Sequence, residues 1–179
     1  PADQTVVDER AFTAALQRAV RLAADGAIVI LGVLPDRPET GYGYIKASSA
    51  ADGTGVERFV EKPDLATAQR YLAEGRYFWN SGMFVVRASV WLAAIERCRA
   101  DIAAATRAAW LARSLDAAFV RPGREAFAAI PSESIDYAVM EPIAAEPGAF
   151  SLRMVPLAAG WNDLGAWDAV WQVSSKDAA

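Results

Sequence analysis

Two short motifs place charged and amide side chains at the ends of apolar, strand-like runs. Glu61-Lys62-Pro63 follows one such run, and Asn80 lies within Trp79-Asn-Ser-Gly-Met-Phe84. An ammonium can bind a phosphate as a point charge, and a carboxylate accepts hydrogen bonds from hydroxyls. An amide donates and accepts at once, which suits the neighbouring hydroxyls of a sugar. The motifs therefore indicate a phosphorylated sugar as ligand. The alternative is an ordinary strand edge with a solvated Glu–Lys pair.

A glycine-containing loop carries the next candidates. In Thr40-Gly-Tyr-Gly-Tyr-Ile45, Gly43 lets the backbone approach a ligand because it has no side chain, and Tyr42 offers a flat apolar wall. The segment is not a dinucleotide fingerprint, because a third glycine is missing and a strand follows where a helix is required. A glycine-bearing turn into a strand is the alternative interpretation.

Asp163 lies in the Gly-flanked loop Trp161-Asn-Asp-Leu-Gly165, just before a predicted helix. One interpretation is a turn or helix-entry residue. The other is a ligand for Mg²⁺, which takes one or two protein carboxylates together with phosphate oxygens of the substrate. Asp3 is the only other loop aspartate that fits as its partner. The residues alone leave both interpretations open.

The elements that must position these residues follow the order of an α/β fold. Asp8 to Ala24 has helical periodicity with Asp8 as N-cap, and the β-branched run Ala27 to Val33 predicts a strand buried on both faces. Further strands are predicted at 42–47, 56–61, 77–86 and 150–155, and further helices at 64–74, 88–115 (two, broken near 100), 134–140 and from 166. The sequence thus predicts one α/β domain with a mixed sheet and flanking helices.

Composition excludes several classes of protein. The chain carries 18 basic and 22 acidic side chains without a concentrated basic stripe, which argues against nucleic-acid binding. The absence of histidine excludes Ser-His-Asp and Cys-His catalysis and a His-ligated zinc site. Cys98, the single cysteine, is predicted to be a buried thiol, and the lack of a disulfide partner suits a reducing, cytoplasmic compartment. The longest apolar run, Ala27 to Leu34, is too short to span a bilayer.

Six motifs, in order along nearly the whole chain, together resemble the mannose-1-phosphate guanylyltransferases of the sugar nucleotidyltransferase family. They are Pro1-Ala-Asp3, Glu39-Thr-Gly-Tyr-Gly-Tyr-Ile45, Phe59-Val-Glu-Lys-Pro63, Trp79-Asn-Ser-Gly-Met-Phe84, Ser134-Ile-Asp-Tyr-Ala-Val-Met-Glu141 and Gly160-Trp-Asn-Asp-Leu-Gly-Ala-Trp167. The resemblance implies a partial Rossmann-like nucleotidyltransferase fold. Residues 1–179 would then be the sugar-phosphate-binding portion of a domain that is incomplete at its N-terminus.

Enzymes of that family transfer GMP from GTP to mannose 1-phosphate, giving GDP-mannose and pyrophosphate. The resemblance implies that Asp3 and Asp163 hold Mg²⁺ across the reacting phosphates and that Lys62 binds the sugar phosphate, so these three are the predicted catalytic residues. The predicted substrate-binding residues, which hold the sugar hydroxyls and phosphate or line their pocket, are Tyr42, Gly43, Glu61, Lys62, Asn80 and Asp136.

The family's nucleotide-binding half normally precedes the Pro-Ala-Asp segment with a Gly-rich loop ending in Arg-Leu, and these 179 residues contain no such loop. The chain alone is therefore expected to be inactive, with most of the GTP site elsewhere. Gln4 stands where the family usually has His, and Pro142 where it usually has Lys. The alternatives are a glucose-1-phosphate-type nucleotidyltransferase and a non-catalytic sugar-phosphate-binding or regulatory module. Homo-oligomer formation is left open.

Overall fold

The structure, a computed structural model, describes residues 4–49, 53–146 and 148–174. Its helices are α1 (Glu9–Ala24), α2 (Leu65–Glu74), α3 (Ala88–Cys98), α4 (Ala100–Leu111), α5 (Arg124–Ala128), α6 (Glu141–Ala145) and α7 (Trp167–Val173). Its strands are β1 (Ile28–Val33), β2 (Tyr44–Ala47), β3 (Thr54–Val60), β4 (Tyr77–Val85), β5 (Ser114–Asp116), β6 (Phe119–Arg121) and β7 (Leu152–Pro156). A π-helical turn, Asp136–Met140, leads directly into α6.

β1 lies between two neighbours of opposite direction. It pairs antiparallel with β4 and parallel with β7, which makes the sheet mixed. Its β-branched, apolar residues are buried on both faces, as expected for a strand covered by helices on either side. Val29 and Leu31 pack with Ala19 of α1, whereas Ile30 packs in a second core with Met140 of the π-helical turn. The predicted α/β class with a mixed sheet and flanking helices is confirmed.

Five strands close into a ring in the order β1-β4-β2-β3-β7. Antiparallel pairing sets Tyr44, at the start of β2, opposite both Val60, at the end of β3, and Trp79 of β4. The chain neighbours of these three residues therefore meet where β2 begins and β3 ends, beside the middle of β4. They are Gly43, Glu61 and Asn80.

α2 packs against an aromatic cluster of the same strands. Asp64 caps this helix by accepting a hydrogen bond from the Thr67 N–H at 2.7 Å, and Gly75 ends it in a left-handed conformation. Tyr71 of α2 stacks on Tyr77 of β4 with ring centroids 3.8 Å apart. Tyr71 also packs against Tyr44 of β2. The capped helix α2 therefore contacts both β2 and β4.

Two local predictions differ from the structure. Ser114 and Leu115, predicted as the end of a helix, instead lie in β5 of the hairpin β5–β6, in which every strand residue is exposed. Strands of three residues are too short for a period of two to be recognised, so the pattern could not indicate this hairpin. Cys98 is half-buried rather than buried, and partial burial raises the pKa of its thiol.

None of the helices in the described ranges has the length and apolar character needed to cross a membrane.

Candidate functional site

Asn80 is held in one orientation within β4, beside the start of β2 and the end of β3, and not at the end of its own strand. Its side-chain Nδ2 donates to Asp136 Oδ1 at 3.0 Å, and its Oδ1 accepts from the Gly82 N–H at 3.0 Å. Its backbone N–H donates to the Gly43 carbonyl at 2.7 Å. The π-helical turn thus brings Asp136 to the side chain of Asn80. This bond uses one N–H of the Asn80 amide and leaves its second N–H for a ligand.

Glu61 supplies a carboxylate oxygen that no protein group satisfies. Its side chain is 9% exposed, and its Oε2 is buried without a hydrogen-bond partner among the described residues. A Cβ atom built on Gly43 would lie 2.5 Å from this oxygen. Because Gly43 has no Cβ, this buried acceptor lies close against the loop backbone, where a side chain would clash with it. A buried acceptor normally has a donor, and a ligand hydroxyl is the donor that this arrangement fits.

Lys62 presents an exposed ammonium beside this carboxylate. Its Nζ lies 3.6 Å from Glu61 Oε1, and its side chain is 56% exposed. The backbone of Lys62 adopts a left-handed φ of 47°, which is uncommon for a residue with a side chain and concentrates at functional sites. Its N–H donates to the Tyr42 carbonyl at 3.2 Å, and this bond fixes the turn before Pro63.

Glu141, the last residue of one of the six motifs, belongs to this site although the sequence analysis assigned it no role. One of its carboxylate oxygens, Oε1, accepts a hydrogen bond from the Glu61 N–H at 2.8 Å. The Glu141 N–H bonds to the Asp136 carbonyl across the π-helical turn, so the two carboxylates lie at the same strand end. Helical spacing places residues five apart on different faces, and only the wider π turn brings both to one place.

Two carboxylates of this cluster, Glu61 and Asp136, have raised pKa values. Burial raises the pKa of Glu61, the charge of Asp136 adds to the rise, and Lys62 opposes it. Burial likewise raises the pKa of Asp136, against the hydrogen bond from Asn80. The ionised form of Glu61 therefore destabilises the fold while it keeps a strong acceptor ready for a ligand.

We expect Glu61→Gln to raise the free energy of unfolding at neutral pH by about 1 kcal/mol. The folded-state pKa of Glu61 is raised, so its ionisation opposes folding above the ordinary glutamate pKa of about 4.3. The gain should vanish as the pH falls below that value. Urea denaturation between pH 4 and 8 measures it, with Glu57→Gln on the exposed part of β3 as control. If the gain in the free energy of unfolding did not change with pH, burial of the Glu61 charge could not be the cause of that gain.

Asp163 lies in the loop between β7 and α7, and Tyr42 holds it. The Tyr42 hydroxyl donates to Asp163 Oδ1 at 2.6 Å, and the Gly165 N–H donates to the same oxygen at 3.3 Å. Burial, followed by this hydrogen bond, raises the pKa of Tyr42. Asn162 bridges to Thr5 through paired backbone hydrogen bonds of 2.9 and 3.1 Å. This bridge fixes the loop to the start of the chain.

The predicted partner of Asp163 is Asp3, which lies outside the described residues. The residue that follows it, Gln4, donates from Nε2 to the Ser81 carbonyl at 3.1 Å and accepts at Oε1 from Trp161 Nε1 at 2.7 Å. Gln4 thereby ties β4 to the loop that carries Asp163. The Gln4 amide uses its donor and its acceptor in these two bonds, which explains structurally why a glutamine can stand where the family usually has His.

The Asp163 carboxylate fits a divalent cation by its donor chemistry. Both hydrogen bonds that it accepts from described residues go to Oδ1, which leaves Oδ2 for a ligand. No group of three or more acidic, cysteine or histidine side chains in the described ranges could hold a metal ion by itself. One or two carboxylates completed by phosphate oxygens is the donor set that Mg²⁺ commonly uses.

The sequence profile of the Nucleotidyl transferase family matches residues 1–179. The chain belongs to this family. It is 51% identical over 177 residues to the xanthan biosynthesis protein XanB of Xanthomonas campestris pv. campestris (strain B100), an alignment covering 99% of this chain and 37% of XanB. It is 44% identical over 183 residues to a mannose-1-phosphate guanylyltransferase of Escherichia coli (strain K12), covering 99% of this chain and 37% of that protein. The chain therefore spans little more than a third of the length of these relatives.

A solved structure extends this similarity from sequence to fold. The mannose-1-phosphate geranyltransferase from Thermus thermophilus superposes with a TM-score of 0.82 at 34% identity, covering 99% of this chain and 49% of that one. Nucleotidyl transferases of this family generally use divalent metal ions. That property suits the ligand oxygen that Asp163 leaves open.

Proposed function

We propose that the protein to which this chain belongs is a mannose-1-phosphate guanylyltransferase, which transfers GMP from GTP to mannose 1-phosphate. The observation that carries the proposal is the buried Glu61 Oε2, which has no partner in the described residues and faces the bare Cα of Gly43. A sugar hydroxyl supplies the missing donor, and the exposed ammonium of Lys62 lies next to it for the phosphate. Relatives 41–44% identical that are named mannose-1-phosphate guanylyltransferases support the choice of sugar.

The chain's residues then act mainly by positioning and charge. Lys62 binds the phosphate of the sugar, while Glu61 and Asn80 hold its hydroxyls, so that the phosphate oxygen is directed at the α-phosphorus of GTP. Asp136 keeps Asn80 oriented. Mg²⁺, when held by Asp3 and Asp163, would supply neutralisation of the charge on the reacting phosphates.

Residues 1–179 are proposed as the sugar-phosphate-binding portion of the nucleotidyltransferase domain. GTP would bind mostly through groups that these residues do not supply, so GDP-mannose formation is expected of the full-length protein and not of this chain alone. A cytoplasmic location, expected from the single cysteine, stays a prediction.

We expect Lys62→Ala to weaken the binding of mannose 1-phosphate about 10- to 100-fold, because a charge-assisted contact to the phosphate is lost. Mannose 1-phosphate and glucose 1-phosphate should be weakened equally, since Lys62 contacts the part they share, and the preference for mannose should persist. Isothermal titration of both sugar phosphates measures this.

Lys46→Ala is the matched control, because Lys46 is paired with Glu74 beside Tyr77. An unchanged dissociation constant for Lys62→Ala would favour the solvated Glu–Lys pair. Tighter binding of glucose 1-phosphate by the unaltered protein would favour the glucose alternative. Intact binding without GDP-mannose formation by the full-length protein would favour a non-catalytic module.

A further inference from the structure

We propose that Tyr42 is a positioning residue that orients the Asp163 carboxylate for the metal ion and ties it to the turn carrying Lys62. The inference rests on the proposed function for the roles of Asp163 and Lys62. It gives Tyr42 a task different from the flat wall against the sugar that its sequence position indicates. Three independent contacts of this one residue carry the inference.

The first contact is the hydroxyl bond to Asp163. Tyr42 and Asp163 are 121 residues apart in sequence, and their oxygens lie 2.6 Å apart. A carboxylate can only accept, so the phenol is the donor, and the bond is charge-assisted. It engages Oδ1 and thereby aims Oδ2 away from the tyrosine. Metal-binding side chains are commonly oriented by such outer hydrogen bonds, and their affinity depends on them.

The second contact fixes the ring of Tyr42. Trp79 of β4 packs edge-on against it with centroids 5.2 Å apart and planes at 79°, and Trp161 does so from the other loop at 5.7 Å and 65°. Edge-to-face packing of this kind restricts ring orientation. The hydroxyl therefore reaches Asp163 from a fixed position, because the strand and the loop both hold the ring.

The third contact is through the backbone. The Tyr42 carbonyl accepts the N–H of Lys62, whose left-handed φ of 47° depends on the turn being held. One residue thus bonds the metal-ligand loop with its side chain and the phosphate-binding turn with its main chain. Asp163 would hold the metal ion and Lys62 would bind the sugar phosphate of the same reaction, so a fixed separation between these two residues has a direct use.

Without the phenol, the one hydrogen bond to Asp163 Oδ1 that the described residues still provide is the longer one from the Gly165 N–H at 3.3 Å. That bond is local to a loop in which Leu164 also has a left-handed φ, of 52°. The carboxylate would then sample more orientations, and each metal-binding event would have to order it. The expected consequence is weaker metal binding with little change in sugar binding.

Tyr42→Phe in the full-length protein tests the proposal, because it removes the hydroxyl and keeps the ring packing. We expect Mn²⁺, used as a spectroscopic substitute for Mg²⁺, to bind about 10- to 100-fold more weakly by electron paramagnetic resonance titration. Turnover at limiting metal should fall by a similar factor. The KM for mannose 1-phosphate should change less than about twofold, because no sugar contact is removed. Tyr77→Phe, the same change in a buried tyrosine of β4, is the control and should alter none of these.

The double variant Asp163→Asn/Tyr42→Phe separates positioning from a general structural effect. If the hydroxyl acts through Asp163, removing it should have no further effect on Mn²⁺ affinity once the carboxylate is gone. Additive losses, or a Tyr42→Phe protein with unaltered Mn²⁺ affinity, would overturn the role of Tyr42 and leave the proposed function standing. Failure of the unaltered full-length protein to bind Mn²⁺ and form GDP-mannose would overturn both.

Discussion

Asp163→Asn is expected to lower the turnover of the full-length protein by about two to three orders of magnitude. The amide has the shape of the carboxylate and can still accept the hydrogen bond from Tyr42, so the loop should keep its conformation. It lacks the negative charge that attracts the cation, and a neutral oxygen is a weaker ligand for Mg²⁺. The loss therefore falls on neutralisation of the reacting phosphates. Initial rates of pyrophosphate release at saturating substrates measure it.

Asp116→Asn is the control for this experiment. Asp116 lies on the exposed hairpin β5–β6, where it pairs with Arg121, so its replacement changes the net charge by the same amount away from the site. Near-normal turnover of Asp163→Asn would contradict the metal-ligand interpretation and favour a turn or helix-entry role for this aspartate. A parallel loss in both variants would point to an effect of net charge instead of a metal ligand.

Gly43→Ala is expected to raise the dissociation constant for mannose 1-phosphate at least about 100-fold, which corresponds to roughly 2.7 kcal/mol. The added Cβ would lie 2.5 Å from Glu61 Oε2 and 3.3 Å from the Cβ of Asn80, so it occupies the space that the proposed hydroxyl needs. Glu61 cannot retreat with its backbone, because Glu141 holds the N–H of that residue. Gly43 has no left-handed φ, so the change acts on the site and not through backbone strain. Isothermal titration of the 179-residue chain measures the binding.

Gly55→Ala in β3 is the matched control, since the nearest atom to its added Cβ is Ser48 Oγ at 3.6 Å, an ordinary contact. Thermal unfolding of both variants shows whether the fold is kept. Gly43→Ala with near-normal affinity would mean that the Glu61 carboxylate moves aside without loss and does not hold a hydroxyl. That result would contradict the role of Glu61 Oε2 as the acceptor of a sugar hydroxyl, on which the proposed function depends.

The local elements could be predicted from the sequence because their signals are local. Asp8 caps α1 by accepting from the N–H groups of Arg10 and Ala11, as its position before a periodic run indicates. Gly75 ends α2 with a positive φ, and the β-branched residues of β1 are buried on both faces. The polar residues that follow apolar runs, such as Glu61 and Asn80, were identifiable as candidates for the same reason.

Only the tertiary structure decided which candidates meet and which groups support them. The antiparallel register of β2 and β3 brings Gly43 to Glu61, and the π-helical turn brings Asp136 to Asn80. The pairing of Tyr42 with Asp163 joins residues 121 positions apart. These contacts depend on strand register and on loop packing between distant segments, and neither leaves a mark in local composition or periodicity. The sequence by itself determined the elements and the residue types at their ends; register and packing made the unpartnered oxygen of Glu61 and the oriented carboxylate of Asp163.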